Sequence, residues 1–248
     1  MAEADDQGPG DRLFTGRWGV HLRGHLLLFE RRPGPAIPKP TGNRLLLLAG
    51  ALELFRITAG RPPLPVPLSI FVAALLGLAL LSVRFLASLK LSSIGLRPWR
   101  DWSPIEKSYF VQLLILANVV FSAVLWTRLR ALLASSSLPE IVATVLVPYL
   151  LFGFYQEVVY RGMIQAELVR RWGALAGILV ANLLYAFGPL HAGYFYSRPS
   201  LAIPMLASIF AIGLFFGALF HRSGNLWIVA VIHGIGNAYM VGSLGRIA

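Results

Sequence analysis

Apolar residues run through this chain in long blocks. From Leu45 onward, stretches near 45–59, 65–84, 109–127, 139–170, 173–195, 201–220 and 225–241 are dominated by Leu, Val, Ile, Ala and Phe. Most approach the ~20 residues that a helix needs to cross the apolar core of a bilayer. The pattern predicts an all-α fold, a polytopic transmembrane helical bundle of about seven spans, within a range of six to eight. Segment 45–59 gives the weakest span signal, because it is short and carries Glu53 and Arg56. Ahead of it, Trp18, Leu22, Leu26 and Phe29 recur at helical spacing between Phe14 and Arg32, while Arg17, His21, Arg23 and His25 fall elsewhere on the wheel. That arrangement predicts an amphipathic helix lying in the membrane interface. A tail packed on the core is the alternative. Residues 1–12 are polar, and Pro33 to Asn43 reads as a Pro/Gly-rich linker. The expected organisation is an N-terminal region, 1–43, followed by one transmembrane helical domain, 44–248.

Composition agrees with the pattern and narrows the solvent. The 248 residues are 56% hydrophobic and 13% charged, where soluble domains carry about 25% charged residues. The formal net charge of +11 raises the question of nucleic acid. However, most of the Lys and Arg lie in alternate connecting regions, most densely before Leu45. The positive-inside rule then predicts a cytoplasmic N-terminus, with anionic lipid headgroups as the natural partners of this charge. Nucleic acid is not required. The absence of cysteine excludes disulfide frameworks, thiolate nucleophiles and Cys-ligated metals. The acidic start, Met-Ala-Glu-Ala-Asp-Asp, is unlike a cleaved leader.

Three polar clusters interrupt the apolar background: Gln156-Glu157 with Arg161-Gly162, Phe187-x-x-x-His191, and His233-x-x-x-Asn237. A charge at membrane depth costs roughly 2.5 kcal/mol or more, so such groups mark function or a paired structural role. With Arg170, Arg171 and Arg222 taken as cytoplasmic edges, Glu157 lies roughly 20 Å deep, His191 roughly 28 Å and His233 roughly 16 Å. Tilt, or a kink near Pro189, brings that band together. Residues four apart share a helical face, so Arg161 is the expected partner of Glu157, Phe187 sits beside His191, and His233 beside Asn237. Gln156 points about 100° away from Glu157.

A carboxylate and an imidazole in a low-dielectric cavity can hold and deprotonate water, while a second His and an Asn can donate to an oxyanion. That inventory suits peptide or ester hydrolysis without a covalent intermediate. No Gly-x-Ser-x-Gly elbow supports a serine nucleophile. Zinc is not expected, since neither His-Glu-x-x-His nor His-x-x-Glu-His occurs. Each cluster also has a structural reading: Glu157 with Arg161 as an ion pair, the histidines and Asn237 as hydrogen bonds between helices, and His191 in a loop if its helix ends at Pro189.

The three motifs resemble those of the CPBP family of intramembrane proteases, which includes the type II CAAX prenyl endopeptidases and the bacterial Abi proteins. The family pattern is Glu-Glu-x-x-x-Arg, Phe-x-x-x-His and His-x-x-x-Asn. The resemblance extends to Tyr160-Arg161-Gly162, to Gly224-Asn225-Leu226-Trp227 and to Leu91-Ser-Ser-Ile-Gly95-Leu96, and it covers about residues 139–241. It implies an integral protein of a plasma membrane, the inner membrane in a bacterium, acting on a peptide or protein substrate with or without a lipid. It implies no cofactor. His191 would partner the general base, His233 and Asn237 would stabilise the oxyanion, and Glu157 and Arg161 would support them.

Gln156 departs from the pattern, since the family places its water-activating glutamate there. An amide is nearly isosteric with a carboxylate and can orient water, but it cannot accept a proton at neutral pH. General-base catalysis contributes about 10²–10⁴-fold, so a strongly impaired protease is expected, with the glutamine either engineered or natural. Glu157 is disfavoured as a replacement base because it points elsewhere and is expected on Arg161. The alternative is a non-catalytic family member that binds a peptide or protein partner, as an immunity or assembly factor does.

Overall fold

The computed structural model describes residues 43–60, 66–191 and 199–242, and these are helical with no strand among them. The region expected to form the interfacial helix, Phe14 to Arg32, lies outside the described residues. Seven main helices follow in order: α1 (Arg44–Ala59), α2 (Leu68–Leu86), α3 (Pro104–Val124), α4 (Trp126–Ser135), α5 (Leu138–Phe187), α6 (Pro199–Ser223) and α7 (Leu226–Gly242). Of these, α2, α3, α5 and α6 are long and apolar enough to cross a membrane, while α7 is shorter.

A 50-residue helix such as α5 would be about 75 Å long if straight, more than twice the apolar thickness of a bilayer. Gly173 breaks it, with φ 79° and ψ 172°, a conformation open to glycine and costly for residues with a Cβ. The second limb, 174–187, folds back on the first. A Cβ on Gly177 would lie 2.4 Å from the Val169 amide nitrogen. The two apolar blocks on either side of residue 173 are thus the two limbs of one hairpin. Its second limb stops at Phe187, with Gly188 extended. Pro189 therefore follows the end of the helix and kinks nothing: of the two sequence expectations, a kink or a helix end with His191 in a loop, the second is the one found, because a proline cannot continue the backbone ladder.

Helix ends are tied to one another by polar groups. Ser103 caps α3: its hydroxyl accepts from the Glu106 amide (3.2 Å) and its own amide donates to the Glu106 carboxylate (2.8 Å). Glu106 also pairs with Arg97, whose guanidinium donates to the Ser223 carbonyl at the end of α6 at 3.3 Å. Gly95, at φ 91°, closes the short turn Leu91–Ile94 and accepts from the Leu226 amide at 3.0 Å. This is the structural use of the Leu91–Leu96 segment: it anchors the start of α7 and packs Ile94 against Gly162.

The first limb of α5 and helix α7 run antiparallel in backbone contact. A Cβ on Gly153 would stand 2.5 Å from the Gly234 Cα, and one on Gly234 would stand 2.7 Å from the Leu150 Cα. Small residues at such crossings let helices approach closely where lipid supplies no hydrophobic drive between them. Gly153→Ala is expected to destabilise by about 1–3 kcal/mol through overpacking. At Gly50 and Gly77, where a Cβ meets nothing within 4 Å, alanine is expected to stabilise by about 0.4–1 kcal/mol through the unfolded chain. Unfolding in detergent with increasing SDS checks both, and equal effects at the three positions would refute the crossing contact.

Candidate active site

The polar motif of α5 sits where its backbone changes pitch. Val147–Glu157 is α-helical and Val158–Gln165 is a wide π turn with every residue buried. Such bulges are frequent at functional sites, and three shorter ones occur elsewhere among the described residues. Two side chains of the wide turn reach α6: Arg161 donates to the Gly213 carbonyl at 3.0 Å and Gln165 to the Gly217 carbonyl at 2.8 Å. Glycine at both positions leaves the room, since a Cβ on Gly217 would meet the Gln165 amide oxygen at 2.8 Å. The spacing of four in both helices keeps donors and acceptors in register.

Glu157 is fully buried and holds the centre of the site. One carboxylate oxygen accepts from His233 Nδ1 at 2.6 Å, and the other faces Arg161 Nε at 3.5 Å. A charge so placed must be paired, because desolvation costs several kcal/mol per ion. The guanidinium of Arg161 also lies over the Tyr185 ring, 4.3 Å from its centroid, a cation–π contact strengthened by desolvation.

The hydrogen bonds assign ring tautomers. A carboxylate only accepts, so His233 Nδ1 carries hydrogen and Nε2 faces the Tyr185 hydroxyl at 3.2 Å. His191 Nδ1 lies 2.8 Å from the Tyr185 carbonyl oxygen, which likewise only accepts. Nδ1 is therefore the donor, and the lone pair of the neutral ring is on Nε2. The His191 ring also stands edge-on to the Tyr185 ring at 4.9 Å. Separately, Asn237 donates its amide to the Gln156 side-chain oxygen at 2.9 Å.

The six residues singled out from the sequence thus fall into two adjoining sets. Arg161, His233 and His191 contact Tyr185, with Glu157 held between Arg161 and His233, and Gln156 pairs with Asn237. The ion pair four residues apart is present. Two expectations change. Glu157 does not serve Arg161 alone, since its shorter contact is to His233. Phe187 is not one helical turn from His191, because α5 ends at Phe187 and His191 lies in the turn beyond; Phe187 is half exposed, with its ring 5.9 Å from that of Phe210.

Tyr185 was not singled out from the sequence, because a tyrosine is unexceptional in an apolar helix. Along the chain alone, Glu53 only weakens the signal of the first span. In the fold it accepts from the hydroxyls of Tyr155 (2.9 Å) and Tyr160 (3.1 Å), which flank the motif. A buried carboxylate with no partner on its own helix beyond Arg56 was the available signal. Among the described residues, no group of three or more His, Asp or Glu side chains comes together to hold a metal ion.

Residues 137–239 match the family model described as type II CAAX prenyl endopeptidase Rce1-like. No curated protein and no solved structure matches the chain. The matched segment opens at the start of α5, ends within α7, and contains Gln156, Glu157, Arg161, His191, His233 and Asn237. Over residues 137–239 the chain is therefore similar to the Rce1-like type II CAAX prenyl endopeptidases.

Proposed function

We propose that this integral membrane protein is built as an intramembrane endopeptidase, and that Gln156 suppresses its cleavage step while leaving the peptide site intact. The observation that carries this reading is the Asn237–Gln156 hydrogen bond of 2.9 Å. A carboxylate at 156 would accept the same bond on one oxygen and keep the second for water. The amide instead offers an NH₂ group, which orients water without taking its proton.

In the competent form, the carboxylate at 156 and His191 Nε2 share the proton taken from water. The hydroxide adds to the scissile carbonyl carbon, the oxyanion is stabilised by the second N–H of the Asn237 amide, beside the His233 ring that Glu157 orients, and the tetrahedral species expels the amine, which recovers the proton. Glu157 cannot stand in as the base without abandoning His233 and Arg161. Its role is to orient His233, and Arg161 neutralises it. Side chains alone supply this chemistry, with no metal or cofactor. The substrate is a peptide or protein that reaches the site from the membrane, with or without a lipid. The density of Lys and Arg ahead of α1 supports a cytoplasmic N-terminus, and the membrane of this reading is a plasma membrane, the inner one in a bacterium.

A second reading is a non-catalytic peptide-binding member of the family. It is favoured by the same pair: the Gln156 oxygen is engaged by Asn237, and the neighbouring carboxylate is engaged twice.

Gln156→Glu, reconstituted in vesicles and offered a peptide library, is expected to raise cleavage by about 10²–10⁴-fold. If the folded variant cleaves nothing, the protease reading is lost and the binding reading stands. In the Gln156→Glu background, His191→Ala is expected to return cleavage to the parent level. Retained activity would move the base elsewhere. Asn237→Ala in that background is expected to lower kcat by about 10²–10³-fold, as loss of one oxyanion donor does, with little change in KM; single-turnover assays separate the two.

A further inference from the structure

Glu53 lies in α1, outside the segment that matches the family model, yet it is buried against the motif helix. Its carboxylate accepts from three side chains. Arg56 donates through Nε to both oxygens (3.1 Å each) and through a terminal nitrogen to one (2.8 Å). The Tyr155 hydroxyl donates to one oxygen and the Tyr160 hydroxyl to the other. Arg56 would neutralise the charge without the tyrosines, so structural pairing accounts for only half of this arrangement.

The tyrosines matter because of their positions. They bracket Gln156 and Glu157 and span the junction where α-helix gives way to the wide turn. In a regular α-helix, residues five apart lie about 140° apart around the axis. Tyr155 lies in the last α-helical turn and Tyr160 in the wide turn, whose smaller rotation per residue brings the two phenols closer to one face, where a single carboxylate binds both. Tyr160 then continues inward: its ring meets Tyr185 edge-on at 5.3 Å, and Tyr185 holds His233 through its hydroxyl and His191 through its carbonyl.

The geometry points to Glu53 as a positioning residue: by binding both phenols it holds the wide turn after Glu157 and, through Tyr160 and Tyr185, sets the two histidine rings. Glu53 touches none of the reacting groups. Its effect on catalysis rests on the endopeptidase reading above; its effect on the rings does not.

The test has two arms. In the full chain as it stands, with ¹⁵N-labelled histidine in nanodiscs, Glu53→Gln is expected to shift the ring-nitrogen signals of His191 and His233 and leave those of His221 in place. Tyr160→Phe is expected to reproduce the shift, and Glu53→Gln added to it should bring little more. Unmoved His191 and His233 signals overturn the proposal, as do equal shifts at His221, which would report general loosening. In the Gln156→Glu background, Glu53→Gln is expected to lower kcat at least tenfold with KM changed less than twofold, since a misplacement near 1 Å can cost about 10²-fold. A kcat indifferent to Glu53→Gln also overturns it. If Gln156→Glu itself cleaves nothing, the endopeptidase reading falls, and the ring-nitrogen signals alone decide for or against Glu53.

Discussion

The buried carboxylate of Glu157 is the constraint to which the other helices answer. A charge with no water around it must find its partners within the protein, and here they come from two directions: Arg161 from one turn along its own helix and His233 from α7. Each partner brings a further requirement. Arg161 has donors beyond those that face Glu157, so it reaches the Gly213 carbonyl and the face of Tyr185. His233, held at Nδ1, presents Nε2 to the Tyr185 hydroxyl. A single desolvated charge thereby ties α5, α6 and α7 to one another and sets the orientation of a ring that catalysis would use.

Close approach of backbones makes this possible. Lipid tails are as apolar as leucine, so helices in a membrane gain little from burying apolar surface against each other. Packing and polar contacts must hold them, and both need short distances. Gly153 and Gly234 let the first limb of α5 meet α7, and Gly213 and Gly217 leave room for Arg161 and Gln165. Larger residues there would separate the carboxylate from its imidazole.

Legibility from the sequence was uneven, for physical reasons. The pairing of Glu157 with Arg161 could be read directly, because it depends only on helical spacing within one segment. Which motif residues meet across helices could not. His233 and Asn237 share a face, yet one binds Glu157 and the other Gln156, a division set by how α7 crosses α5. Glu53 counted against the first span when taken alone. Its value lies in Tyr155 and Tyr160, a hundred residues away. Pro189 suggested a kink within a helix, but the helix had already ended at Phe187, since end points depend on the loop that follows as well as on the proline.

The membrane as solvent, the helical class and the positions of the polar clusters were determined by the sequence alone. Transfer free energies and helical periodicity belong to each residue and its near neighbours, and they accumulate along the chain without reference to the fold. The identity of residue 156, an amide where the motif it resembles has a carboxylate, was likewise a property of the sequence. Only the tertiary structure decided the partners: His233 rather than His191 on Glu157, Asn237 on Gln156, Tyr185 between the two histidines, and Glu53 behind them. Those contacts depend on the rotation and crossing of helices far apart in the chain, and glycine contacts and a change of helical pitch settle both.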